Sequence, residues 1–133
     1  MKYILLLLLV SSCQMTQLVN LKSNSFSYRE KINDEWTTFT EWDTVTTNIQ
    51  IKKINFLFVK DKITIFEKQP LVFKVIGLPI EKTSQSGKEA ILFNCKDDEG
   101  LRCHIIMIDQ GNNVNLVVYY KNLNLCYNIP ESN

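Results

Sequence analysis

Residues 90–108, which read AILFNCKDDEGLRCHIIMI, decide the fold class that the sequence predicts. Two runs rich in apolar and β-branched residues flank a polar turn at residues 96–100, an arrangement typical of a β-hairpin. Within the runs, apolar side chains recur with a period of two rather than the 3.6 of a helix. The stretch therefore predicts two antiparallel strands.

The same period of two continues on both sides of this hairpin. Further β-rich runs lie at residues 26–29, 35–42, 45–51, 54–59, 63–66, 71–76, 114–120 and 123–129. No segment shows ten or more residues of helical periodicity with capping residues. Strands joined by short turns pair as antiparallel neighbours, and open sheet edges favour closure. The sequence thus predicts an all-β antiparallel meander of about eight strands, closed as a small barrel or folded as a sandwich, with a lipocalin-like barrel as one form.

The composition is that of a globular protein with one domain. A length of 133 residues suits a single domain. With 45% hydrophobic and 22% charged residues, a disordered chain, a collagen-like repeat and a multi-pass membrane protein are excluded. The 15 Lys and Arg against 14 Asp and Glu give a net charge of +1. Because a protein that neutralises phosphates normally carries a clear basic excess, no nucleic-acid partner is predicted.

The N-terminus has the order of a secretory signal peptide. Lys2 supplies a positive charge, and Tyr3 to Val10 form an unbroken apolar run. This run is much shorter than the roughly 20 residues that a membrane-spanning helix needs. Charge, a short apolar core and then small residues predict a signal peptide over residues 1–12. An ordinary cleaved signal ending at Ser12 and a buried N-terminal strand are the alternatives to a lipoprotein signal.

The sequence Val10-Ser11-Ser12-Cys13 resembles the lipobox of bacterial lipoproteins. The resemblance implies that Cys13 carries palmitate-type acyl chains and becomes the N-terminus of the mature protein. Two or three chains hold a protein stably on a membrane, so the membrane is the expected partner and the bacterial cell envelope the expected location. Residues 13–25 are then the lipidated Cys and a tether, which contains no acidic residue and favours the periplasmic side. Residues 26–133 form the single β-domain.

A second resemblance covers residues 36–129, which look like a group of small β-rich proteins of Bacteroidetes and their phages. It rests on Trp36 and Trp42, on the runs at 49–51, 63–65 and 93–103, and on 118–120 with 127–129. The group is functionally uncharacterised. The resemblance implies a β-rich fold and a bacterial or phage source. An envelope or phage/host protein is a further expected partner of the domain. It carries over no catalytic residue.

The cysteines of the domain predict one disulfide. Cys95 and Cys103 lie at equal distances from the centre of their turn, so a hairpin places them opposite each other on the apolar face. In an exported protein this arrangement favours a Cys95–Cys103 bridge. Cys126 shares its face with Asn124 and Asn128 and is predicted to stay free. Three buried free thiols are the alternative, and zinc is unsupported because no Cys-x-x-Cys motif or second His is present.

No other cluster predicts catalysis, a metal or a cofactor. His104 follows Cys103, but neighbouring strand residues face opposite sides, so the two cannot form a dyad and His104 is predicted at the surface. Asp97, Asp98 and Glu99 lack the spacing of a calcium loop and predict a solvated turn. With no nucleophile, base or metal set, the chain is predicted not to be an enzyme.

Trp36, Thr38, Thr40 and Trp42 fall on one face of a predicted strand. They are predicted to line the interior, either as a ligand cavity or as an ordinary packed core. The leading function is therefore a non-enzymatic, membrane-tethered envelope domain for protein interaction or envelope structure. The alternative is a small barrel that carries an apolar ligand. The irregular stretch at residues 77–88 is the predicted recognition loop.

Overall fold

The computed structural model describes residues 16–54, 61–83 and 86–131. Every ladder between its strands is antiparallel, which confirms the predicted all-β class. The strands are β1 Thr16–Ser23, β2 Ser25–Ile32, β3 Glu35–Trp36, β4 Thr47–Ile54, β5 Lys62–Phe66, β6 Leu71–Val75, β7 Ile80–Thr83, β8 Glu89–Asp97, β9 Arg102–Asp109, β10 Asn113–Tyr119 and β11 Leu123–Pro130.

The strands form one sheet in the order β1-β4-β5-β6-β8-β9-β10-β11-β2-β3, with β7 paired to β8 beside β6. From β4 to β11 this order follows the chain apart from β7, so the sheet is largely a meander. The sheet is not closed into a barrel. The predicted antiparallel meander is therefore confirmed, whereas the prediction that it closes as a small barrel was wrong.

The open position lies where β1 runs into β2. The two strands are separated by Asn24 alone, yet β1 pairs with β4 and β2 pairs with β11. Each half of this stretch is thus paired to a different neighbour, and no ladder joins β1 to β11 within the described residues. The backbone N–H of Asn24 donates to the carbonyl of Asn128 at 3.0 Å across this junction.

One face of the sheet encloses a single apolar core. Along most strands its members alternate with exposed or half-buried residues, as the period of two predicts. On β10 and β11 the opposite face is buried as well, at Val117, Asn124 and Cys126. The buried cluster comprises Ile49, Ile51, Ile63, Ile65, Phe73, Val75, Ile91, Phe93, Cys95, Cys103, Ile105, Met107, Val114, Leu116, Val118, Tyr127 and Ile129. The Tyr127 hydroxyl donates to Glu67 Oε1 at 2.8 Å. The inner face is therefore filled by packing.

Residues 35–42 do not form the predicted strand, because β3 ends at Trp36. Beyond it, three backbone N–H groups bond to β2: Thr37 to Glu30, Thr40 to Tyr28, and Asp43 to Phe26, at 2.8–2.9 Å. The partner positions move by two residues along β2 but by three along this segment. Each step therefore holds one extra residue, as in a β-bulge, and the alternation of faces is lost.

The stretch at residues 77–88 is less irregular than predicted. It contains β7, which pairs with residues 89–92 of β8 and is exposed along its whole length. Leu78 and Ile80 are exposed there. Likewise, residues 16–23 of the predicted tether form the complete strand β1. The signal peptide at residues 1–12, Cys13 and most of the predicted run at 54–59 lie outside the described residues.

Candidate functional site

Four large apolar residues recur at every third position after β2. They are Trp36, Phe39, Trp42 and Val45, each between 37% and 51% exposed, and we call them the aromatic row. The first three follow from the three-residue step described above, because each directly precedes a residue whose backbone N–H bonds to β2. Val45 continues the same spacing. The prediction that Trp36 and Trp42 line the interior was therefore wrong: both lie on the outer face.

Arg29 on β2 fastens one end of the aromatic row to the sheet. Its guanidinium carbon lies 4.8 Å from the ring centroid of Trp36 and 4.9 Å from that of Phe39. Asn124 on β11 is 1% exposed. With its amide oriented to satisfy both groups, its oxygen accepts from Arg29 Nε at 2.8 Å and from a terminal nitrogen at 3.0 Å. The planar cation is thus held on three sides.

Trp42, at the other end of the row, borders a wide outer-face cleft of about 710 Å³. We call it the amide cleft, because five of its residues carry a side-chain amide: Asn24, Gln110, Asn113, Asn115 and Asn128. Ser25 and Thr44 complete the lining. Every lining residue is neutral, so the cleft presents hydrogen-bonding groups and an indole without a formal charge.

The amides of this cleft are linked in a chain of hydrogen bonds. Asn113 Nδ2 donates to Asn115 Oδ1 at 3.3 Å and also to Asn128 Oδ1. Asn128 Nδ2 donates to Asn24 Oδ1 at 2.9 Å. Within the described residues, the amide nitrogens of Asn24 and Asn115 have no partner. The chain therefore orients its members and leaves donors at both ends for a ligand.

The sequence analysis did not predict a site at these asparagines, although their spacing along the strands indicates one face of the sheet. Asn113 and Asn115 alternate with the core residues Val114 and Leu116, and Asn128 precedes the core residue Ile129. Asparagine is depleted in strands, so its repetition on the outer face of β10 and β11 marks a surface with a use other than packing.

Cys95 and Cys103 lie opposite each other, as the sequence pattern predicted, but no disulfide joins them. Cys95 and Cys103 are direct cross-strand partners on the buried face, which confirms their register. Within the described part of the chain, Cys95, Cys103 and Cys126 are all free thiols, so the predicted Cys95–Cys103 disulfide is not seen. Burial, with the neighbouring Cys103, raises the pKa of Cys95 to about 12. Burial, with Asp97, raises the pKa of Cys103 to about 11. The reactive thiolate forms are therefore scarce.

We expect the three buried thiols to resist a thiol reagent in the folded protein. At pH 8 their reaction with Ellman's reagent should be about a hundredfold slower than in denaturant, because thiolate is depleted and access is blocked. Burial also raises the pKa of Cys126 to about 11. Rapid reaction of these thiols in the native protein would contradict their placement.

The same shifts give a pH dependence of stability. The unfolded chain releases its thiol protons near pH 8.5, whereas the folded chain holds them up to about pH 11 to 12. Because the thiol pKa values are higher in the folded protein, the protonated thiols stabilise the folded state at pH values below the unfolded pKa. This stabilisation is lost as the pH rises from about 8.5 to about 12. The free energy of unfolding should fall less steeply above pH 9 in Cys126→Ala than in the native sequence.

The remaining sequence candidates are surface groups. His104 is exposed, as predicted, and its Nδ1 lies 2.8 Å from Asn94 Oδ1. Asp97 closes the predicted turn, since its Oδ1 accepts the backbone N–H groups of Glu99 and Leu101 at 3.0 and 2.9 Å. Among the described residues, no group of three or more His, Cys, Asp or Glu side chains is placed to hold a metal.

A second cleft of about 370 Å³ lies at the junction between β1 and the end of β11. Leu21 on β1 and Ile129 and Pro130 on β11 contribute its apolar surface. Its walls separate because β1 and β11 share no ladder.

Comparisons of the chain with protein-family models, with curated proteins and with solved structures find no match. Within residues 16–54, 61–83 and 86–131, no helix is long and apolar enough to cross a membrane. The candidate site is the outer face with the aromatic row and the amide cleft, because it combines exposed apolar side chains with a cleft lined by amides.

Proposed function

We propose that the chain is a non-enzymatic binding domain, held on the bacterial envelope by lipid at Cys13, that attaches to an envelope component through its outer face. The observation that carries the proposal is the aromatic row. Large rings exposed at every third position lose contact with water when a partner covers them. Arg29 holds Trp36 and Phe39 in place, so part of this surface is ordered before binding.

The inner face supports the same proposal. Its residues pack into one apolar cluster, and burial raises the pKa values of the two thiols in that cluster, Cys95 and Cys103, which makes them poor nucleophiles. The Tyr127 hydroxyl is engaged with Glu67. Tyr127 is only 1% exposed, so its hydroxyl is not open to a substrate and the pair does not supply an accessible nucleophile for covalent catalysis.

Carriage of an apolar ligand is the second candidate, and the cleft beside Leu21 and Ile129 favours it. A volume of about 370 Å³ lies within the range of small-molecule sites. Saturable uptake of a fluorescent fatty acid, abolished by Leu21→Trp, would favour carriage over attachment through the outer face.

Lipidation is tested by intact-mass analysis of the membrane fraction from bacteria that express the full chain. We expect cleavage before Cys13 and the added mass of two or three acyl chains. Cys13→Ala should lose that mass and leave the membrane fraction, because the apolar anchor is missing.

Cys126→Ala is the matched control, since it removes a buried cysteine far along the chain from the lipobox. It should keep both the acyl mass and the membrane fraction. A native product of unmodified mass, or unchanged membrane retention of Cys13→Ala, would show that Cys13 is not the anchor.

A further inference from the structure

We propose that the amide cleft binds a neutral saccharide, with one sugar ring stacked on Trp42 and its hydroxyls bonded to the asparagines. This inference rests on the proposed function, which it deepens by naming the chemical class of the envelope component.

Charge selects the class of ligand. No Lys, Arg, Asp or Glu lines the cleft, so it lacks the cations that hold phosphate or sulfate and the anions that hold an amine. Lys88 lies beside it, but its ammonium donates to Gln110 Oε1. A polar ligand without charge is therefore the best match to the cleft.

The amides select a ligand whose groups both donate and accept. Each Asn side chain offers an NH₂ and a carbonyl oxygen in one plane, and a sugar hydroxyl is at once a donor and an acceptor. Asn115 and Asn128 are direct cross-strand partners, and Asn128 is in turn opposite Ser25. Adjacent strands lie about 4.8 Å apart, so this row presents polar groups at regular steps, which suits the repeated hydroxyls of a sugar.

Trp42 supplies the apolar half of such a site. It is half-exposed and, within the described residues, its ring contacts neither a cation nor another ring, unlike Trp36. A sugar ring has one face of C–H groups that stacks on an aromatic surface, while its hydroxyls point outward. Trp42 and the amides line the same cleft, so together they match the apolar face and the hydroxyl groups of one pyranose.

A peptide strand fits this place less well. Peptides add to a sheet at an edge with free backbone groups, but β10 is paired on both sides with β9 and β11, and β11 with β10 and β2. The cleft therefore offers side chains and no free strand edge. Its lining of amides likewise disfavours an acyl chain, for which the cleft beside Leu21 offers more apolar surface.

The test is titration of the full chain, in a detergent without a sugar headgroup, with neutral hexasaccharides of glucose, mannose, xylose and N-acetylglucosamine. Hexagalacturonate serves as the charged comparison. Tryptophan fluorescence reports binding, and the side-chain amide signals in NMR spectra report the asparagines. We expect saturable binding of at least one neutral hexasaccharide and shifts of the Asn115 and Asn128 amide signals.

Trp42→Ala should weaken that binding about tenfold, and Asn115→Asp should weaken it by a similar factor, because it replaces a donor by a carboxylate. Phe66→Ala is the matched control, since Phe66 is an exposed aromatic side chain that belongs neither to the aromatic row nor to the lining of the cleft, and it should change affinity less than about twofold. Circular dichroism shows whether each variant is folded.

The proposal is overturned if no neutral hexasaccharide binds, if only hexagalacturonate binds, or if folded Trp42→Ala binds as tightly as the native chain. If these results occur while the native chain carries its acyl mass in the membrane, the saccharide proposal fails and the lipid-anchored domain stands. If the chain binds a neutral hexasaccharide but carries no acyl mass, the saccharide site stands and the proposed lipid anchor at Cys13 fails.

Discussion

Replacing Phe73 by alanine should lower the free energy of unfolding by about 3–5 kcal/mol. Phe73 lies on β6 and is fully buried in the core cluster, with its ring 6.4 Å from that of Tyr120. Alanine leaves a cavity that the paired strands β5 and β8 cannot fill by moving, because their ladders with β6 fix them. Urea unfolding followed by tryptophan fluorescence measures the change.

Phe66→Ala is the matched control for this prediction. Phe66 ends the neighbouring strand β5, and its side chain is 47% exposed. Removing an exposed ring should cost less than about 1 kcal/mol. Equal losses in the two variants would mean that the inner face of the sheet is not the core.

The second large effect is expected for Arg29→Ala, which should lower the free energy of unfolding by about 1–3 kcal/mol. The loss of Arg29 leaves the buried amide oxygen of Asn124 without its donor, and Trp36 and Phe39 lose the cation between them. Chemical unfolding gives the free energy. A change in the tryptophan emission of the folded variant would report the release of Trp36.

Arg102→Ala provides the comparison, because Arg102 is an exposed arginine on β9. We expect its effect to stay within about 0.5 kcal/mol. Arg29→Lys should lie between the two, since an ammonium keeps the charge but cannot stack as a plane or bond Asn124 through two nitrogens. If Arg29→Ala is as mild as Arg102→Ala, the cation does not stabilise the aromatic row.

The core could be predicted from the sequence because a strand obeys a local rule. A period of two assigns Ile49 with Ile51, and Ile63 with Ile65, to one face, and the structure buries all four. The register of Cys95 and Cys103 followed from the length of their turn. Neither result depends on where distant strands lie.

The aromatic row could not be predicted by that rule. The segment after Trp36 pairs with β2 in steps of three residues, and applying a period of two to it placed Trp36 and Trp42 inside. The bulged step depends on which residues of β2 supply the carbonyls, and this is a property of the folded pair. A period of three in Trp36, Phe39, Trp42 and Val45 was nevertheless present in the sequence.

The amide cleft lay beyond sequence reasoning for a different reason. Asn24 and Asn128 are bonded although 104 positions separate them, and their meeting depends on β2 pairing with β11 rather than with β1 or β4. Long-range pairing of this kind is set by the whole sheet. The prediction that the sheet closes was wrong for the same reason. The chain bends at Asn24, so that β1 pairs with β4 whereas β2 pairs with β11.

The full-length strand β1 determines how far the domain can stand from its anchor. Under the lipid attachment proposed here, Gln14 and Met15 are all that separate Cys13 from the first residue of β1. Asn24, on the wall of the amide cleft, is eleven positions after Cys13, a distance that a chain spans with at most about 40 Å. The cleft would then work within one protein diameter of the lipid headgroups. Its ligand would be a glycan that lies along the membrane, and a polymer held farther out would be beyond its reach.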